Sequence, residues 1–211
     1  MINEMTPATS INTQEQILNV AEQLFAANGY AGTSLRSIIK EAGVNLSAVS
    51  YHFGSKEDLY MAIVARVAQP VVKSKLEMLA KCREKNDSPT VEQILEAYLK
   101  PGLRVIFTNG DRSIHCAKFM GRCLTEPDFI KEKIKKQFDP GVQACLDELQ
   151  KALPDKSRNE LHWKLDLVLA ALLQSLVEAE KPGSLIQDLS PDAIDDTASK
   201  LISFLAPGLR S

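Results

Sequence analysis

Between Thr33 and Lys56 the chain carries three cations, Arg36, Lys40 and Lys56, against the single anion Glu41, a local balance of +2. The whole chain of 211 residues balances at −2, and residues 1–66 hold four Lys/Arg against six Asp/Glu. Positive charge is therefore gathered in one window, where it suits a few placed phosphate contacts and argues against binding by bulk charge. The same window contains Leu46, Ser47, Ser50 and Tyr51, which the apolar periodicity does not claim for a core. Hydroxyls bond to base edges or phosphates, and Leu46 can lie against a thymine methyl. Other chemistries find less support. His115 and Asp111 share a loop-to-helix region, but no nucleophile is paired with them. There is no GxSxG, HExxH, GxGxxG or phosphate-cradling glycine loop, so no catalytic residue is assigned and the chain reads as a non-enzyme. Cys82, Cys116, Cys123 and Cys145 make no CxxC pair and have no His at metal-ligand spacing, so reduced thiols are expected, with no metal and no cofactor.

These residues need elements to present them, and the punctuation points to helices. Ten Gly and ten Pro are sparse, and no segment sustains period-2 alternation. Residues 1–11 lack periodicity and read as a flexible arm. Thr13 to Gln16 fits a capping box, and Ile17, Ala21, Leu24 and Phe25 make one apolar stripe of a first helix ending near Gly29. A second helix opens at Thr33 or Ser34 and stops at Gly43; Asn45 caps a short third, and Ser55 a fourth that Pro70 should kink. Longer helices follow over roughly 90–109 (kinked at Pro101), 112–125, 128–152 (interrupted near Pro140), 157–180 and 191–205. The fold class is all-α. The start of the chain lacks the plan of a signal peptide, and the longest apolar run, Leu167 to Leu173, is about a third of a membrane span. A cytoplasmic protein with no membrane role is expected.

Two short helices joined by a glycine turn are the plan of a helix-turn-helix, whose second helix can enter the major groove. The same plan suits a helical ligand-binding or protein-interaction module in which the motif is purely structural. The residues themselves go further. The stretch from Thr13 to Leu59 resembles the DNA-binding region of tetracycline-repressor-like (TetR) transcriptional regulators. It matches in the first-helix pattern IL..A..LF...G, in Thr33-Ser34, in Ala42-Gly43-Val44 and, most specifically, in Tyr51-His52-Phe53-Gly54-Ser55-Lys56-Glu57. The resemblance implies phosphate contacts from Ser34 and Arg36, a recognition helix opening with Asn45, Leu46, Ser47 and Ala48, and His52 and Lys56 turned toward phosphate. Family members commonly carry Tyr at the position of Ser50. Either Tyr51 takes over its phosphate contact or the contact is lost.

The resemblance implies two domains: a helix-turn-helix domain over 1–66 and a larger helical effector-binding and dimerisation domain over 67–211. The helix around 157–180 is apolar on more than one face, which requires burial on more than one side. Leu165, Leu169, Leu172 and Leu176, with Leu201 and Leu205 of the last helix, are the candidate dimer interface, and the resemblance implies a four-helix bundle there. His115, Phe119, Met120, Cys123, Gln143, His162 and Trp163 are candidates for an effector pocket, which such residues would suit to an apolar or aromatic small molecule. The expected partners are a roughly palindromic DNA operator, a small-molecule effector and a second copy of the chain, in the manner of a repressor.

Overall fold

The computed structural model describes residues 7–85 and 89–211, with the backbone alone for 7–12 and 85. It is all-helical among the described residues. Helix α1 spans Pro7–Gly32, α2 Leu35–Ala42, α3 Leu46–Phe53 and α4 Lys56–Lys85; α5 spans Val91–Phe107, α6 Ser113–Arg122, α7 Asp128–Ala152, α8 Arg158–Val177 and α9 Ala193–Arg210. A single 3-10 turn, Gly110–Arg112, leads into α6.

The caps explain the short helices. Ser34 accepts the Ser37 amide while Ser37 Oγ accepts the Ser34 amide, a capping box that opens α2. Gly43 closes it in the left-handed conformation (φ 61°), donating to the carbonyls of Ile39 and Lys40. Asn45 Oδ1 then accepts the Ala48 amide at 2.8 Å and opens α3. Ser55 and Asp58 cap α4 reciprocally. The beginning of α1 departs from expectation. The helix already runs from Pro7, so residues 7–11 are helical, while 1–6 lie outside the described residues. Thr13 is thus interior, and Gln16 reaches across to the carbonyl of Ala42 at 2.7 Å. At its other end α1 breaks helical geometry at Gly29 (φ 71°), as the sequence indicates.

Ile17, Ala21 and Phe25 of α1, Ile38 of α2 and Val49 of α3 bury against Leu59, Tyr60 and Ile63 of α4, making a small domain core. That core is continuous with the larger one. Tyr60 lies at the junction: its ring meets Phe25 edge-on at 4.9 Å and Phe119 of α6 at 5.0 Å. The expected boundary at 66/67 falls inside α4, which packs on α1 and α3 and, further along, on α5 and α7. Helix α7 runs through Pro140 without the expected interruption. Ile130 and Ile134 before the proline, and Gly141, Cys145 and Leu149 after it, are all buried, and this packing holds the helix across the missing hydrogen bond.

Candidate nucleic-acid interface

Helices α2 and α3 turn Ile38, Ala42 and Val49 inward, which leaves their opposite faces to solvent. Ser34, Arg36, Asn45, Leu46, Ser47, Ser50 and Tyr51 are exposed there, as is Lys40; Ala48, His52 and Lys56 are half-buried. Tyr51 is 83% exposed, its ring edge-on to His52 at 5.1 Å. An exposed phenol held by a neighbouring ring suits a polar tip reaching a phosphate. Ser50 is exposed beside it.

Three of these residues also hold the motif together. Ser34 and Asn45 use their side-chain oxygens as caps, which leaves Asn45 its amide protons for a ligand. Lys56 donates to the carbonyls of Tyr30 and Thr33, 2.9 Å each, and lies 4.1 Å from the centre of the Tyr30 ring. Its ammonium is an anchor between α4 and the α1–α2 turn, with one N–H left over. Arg36 and Lys40 are the exposed cations of α2.

Sequence reasoning missed the contacts that fasten this domain to α6 and α7. Glu126, buried between those helices, accepts the Tyr30 amide with both oxygens at 3.1 and 3.0 Å. Arg122 donates to the carbonyls of Ala26 and Ala27 at 2.6 and 2.7 Å. Glu22 of α1 is buried against Arg112 at 2.5 Å and Arg66 at 3.7 Å. No local pattern reveals such pairs, because Glu126 lies 96 positions from Tyr30 and Arg112 lies 90 from Glu22.

The seven pocket candidates differ in their surroundings. Phe119, Met120 and Cys123 are buried on α6, with Phe119 against Tyr60, and burial pushes the Cys123 thiol up to about 12. His115 is half-buried. Gln143 bonds to Asp139 and Arg158, His162 pairs with Asp166 at 3.4 Å, and Trp163 is 51% exposed. Of the dimer candidates, Leu165, Leu172, Leu176 and Leu201 are buried within the chain itself, and Leu169 and Leu205 are half-buried. Helix α6 approaches α8 closely, since a Cβ on Gly121 would stand 2.3 Å from Val177 Cγ2, and Leu172 reaches α5, where a Cβ on Gly102 would stand 3.9 Å from its Cδ2. That approach, with α5 against α9, absorbs the leucines. The apolar side chains left outside are Trp163 and Leu167 (58% exposed) of α8 and Phe204 (81%) of α9.

Among the described residues no helix is long and apolar enough to cross a membrane, and no group of three potential ligands could hold a metal ion. Comparison with known proteins agrees with the geometry of α1–α4. A profile described as "Bacterial regulatory proteins, tetR family" matches residues 17–63, and one described as "Tetracyclin repressor-like, C-terminal domain" matches residues 96–208. The chain is similar to the transcriptional repressor AcnR of Corynebacterium efficiens, 35% identical over 65 residues, covering 29% of this chain and 35% of that protein. It thus spans about a third of that relative's length. The repressor BepR of Brucella suis is 25% identical over 203 residues, 96% of this chain and 81% of its own. In fold, the chain is similar to the regulator FadR of Bacillus subtilis, solved in complex with stearoyl-CoA (TM-score 0.64, 14% identity, covering 90% of this chain and 97% of that one). The chain belongs to the tetracycline-repressor-like (TetR) family of DNA-binding transcriptional regulators.

Proposed function

We propose that the chain is a homodimeric repressor that reads a roughly palindromic operator through α3 and releases or tightens it when a small molecule binds among the helices after residue 66. The observation that carries this reading is the exposed face of α2 and α3. Arg36, Lys40, Ser47, Ser50 and Tyr51 point there to solvent together, on a motif whose caps and core are otherwise satisfied. Residues 1–66 are the DNA-binding unit and 67–211 the effector and dimer unit. In a twofold dimer the two α3 helices must lie about one DNA turn, roughly 34–36 Å, or a multiple apart.

An effector acts on DNA only if it favours one spacing over another. The route for that preference is the set of buried Glu126 and Glu22 with half-buried Arg122 and Arg112, which ties the two ends of α6 and the start of α7 to α1. A hundredfold change in operator affinity corresponds to about 2.7 kcal/mol of coupling. Selection of bound sequences from random DNA, with the full chain, tests the reading. A palindromic consensus bound more weakly as salt rises, and weakened further by Arg36→Ala, is the expected result. Enrichment of no sequence, or affinity indifferent to Arg36, would leave the helix-turn-helix as a structural motif in a ligand-binding module.

A further inference from the structure

One buried ammonium lacks an anion. Lys75 of α4 is 5% exposed, and its Nζ stands 3.6 Å from the centre of the Tyr98 ring on α5. No described residue hydrogen-bonds to it or pairs with it, and none bonds to the Tyr98 hydroxyl. Cys145 of α7 acts on the ammonium, but burial raises its thiol to about 11, so it stays neutral near pH 7; Asp166 of α8 acts on the Tyr98 hydroxyl and is itself 3.4 Å from His162. Room for the lysine is built in. A Cβ on Gly141 of α7 would come within 3.2 Å of Lys75 Cδ. Val71 and Leu79, one helical turn to either side of Lys75 on the same face, are buried and apolar.

The arrangement therefore presents three ammonium N–H groups and a phenol hydroxyl that no described residue engages, at a nearly buried position bordered by apolar side chains. A buried charge left unpaired destabilises a fold, and the ring face offsets only part of that cost. A carboxylate brought beside the ammonium would supply the partner that the described residues do not. We propose that Lys75 and Tyr98 form an anion subsite within the α4–α5–α7 layer, taking the carboxylate of an effector whose remaining body is apolar. One ammonium matches one negative charge, which favours a carboxylate over a doubly charged phosphate. On binding, the cation–π contact is exchanged for an ion pair in a low-dielectric site, where such a pair is strong if fully hydrogen-bonded. The inference rests on the effector reading above and narrows it from an apolar or aromatic molecule to an apolar acid.

The test uses the full chain with octanoate, dodecanoate and phenylbutyrate, each beside the alcohol of the same skeleton, in calorimetry and thermal-shift assays. At least one acid should bind about tenfold or more tightly than its alcohol, a difference that is chemically ordinary for one added ion pair. Lys75→Met should abolish that preference while retaining alcohol binding, and should melt no lower than wild type. Tyr98→Phe should weaken the acid and leave the alcohol unchanged. Equal binding of acid and alcohol by wild type, a preference that survives in Lys75→Met, or a Lys75→Met variant that melts far lower would each overturn the subsite. Operator affinity, measured in parallel, separates the two readings. Acid bound through Lys75 without any change at the operator upholds the subsite and overturns effector control; operator release by alcohols alone does the reverse.

Discussion

At the scale of the residue, exposed and anchoring cations should behave differently. Among the described residues the side chains of Arg36 and Lys40 make no hydrogen bond or ion pair, so Arg36→Ala or Lys40→Ala should weaken DNA binding at all sequences alike and lower the salt slope by about 1 each. Fluorescence anisotropy over a salt series measures this, and an unchanged slope would remove the residue from the phosphate face. Lys56→Ala should instead also lower thermal stability, because it frees the carbonyls of Tyr30 and Thr33. Lys75 offers a second contrast. Burial lowers its pKa from 10.5 to about 8, so between those values the unfolded chain holds more protons and stability rises with pH. At about 1.4 kcal/mol per unit, the rise is on the order of 3 kcal/mol. The raised thiols of Cys116, Cys123 and Cys145 act oppositely above their ordinary value of 9.0, since the unfolded thiols ionise first. Urea titrations of wild type and Lys75→Met at about pH 8 and about pH 10 isolate the lysine in their difference. A difference that does not change with pH would show that the lysine is not buried as a charge.

At the scale of the element, α2 and α3 are too short to persist on intrinsic propensity and depend on their caps. Asn45→Ala should destabilise the chain by about 1 kcal/mol through loss of the Ala48 bond, and Gly43→Ala by a similar amount, because its φ of 61° disfavours a Cβ. Denaturant midpoints check both, and an unchanged midpoint would mean that α3 is held by packing alone. Caps of this kind are legible in the sequence, since partner and cap lie three residues apart. Ser34, Gly43, Asn45 and Ser55 all stand where the pattern puts them. Thr13 shows the limit of the same logic. Its pattern is a cap only if the residues before it leave the helix, and those from Pro7 onward do not.

At the scale of the whole molecule, Glu126, Arg122 and Arg112 tie the helices after α5 to α1. Glu126→Gln keeps the shape but removes the charge that faces the Tyr30 amide. It should reduce the effect of effector on operator affinity more than either affinity alone, as a coupling measurement across the four liganded states would read. The outward apolar face of α8 and α9 makes a sharper forecast for assembly. Leu167→Glu or Phe204→Glu should yield a folded monomer by ultracentrifugation, whereas Leu172→Glu, placed in the chain's own core, should prevent folding. A dimer undisturbed by Leu167→Glu and Phe204→Glu together would exclude that face.

What the sequence determined by itself is what short-range chemistry determines. The helix stripes, the glycine and asparagine punctuation of residues 29–56, the concentrated positive charge and the family resemblance of the first domain all lie within a few residues of their causes. The tertiary structure alone decided which way an all-round apolar helix faces. Leucines 165, 172 and 176 are buried and Trp163 and Leu167 exposed because α6, α7 and α9 pack on α8 and Leu172 reaches Gly102 of α5. It alone also brought Glu126 to Tyr30 and Lys75 beneath Tyr98, since partners drawn from different helices meet only after packing sets their distance and excludes water between them.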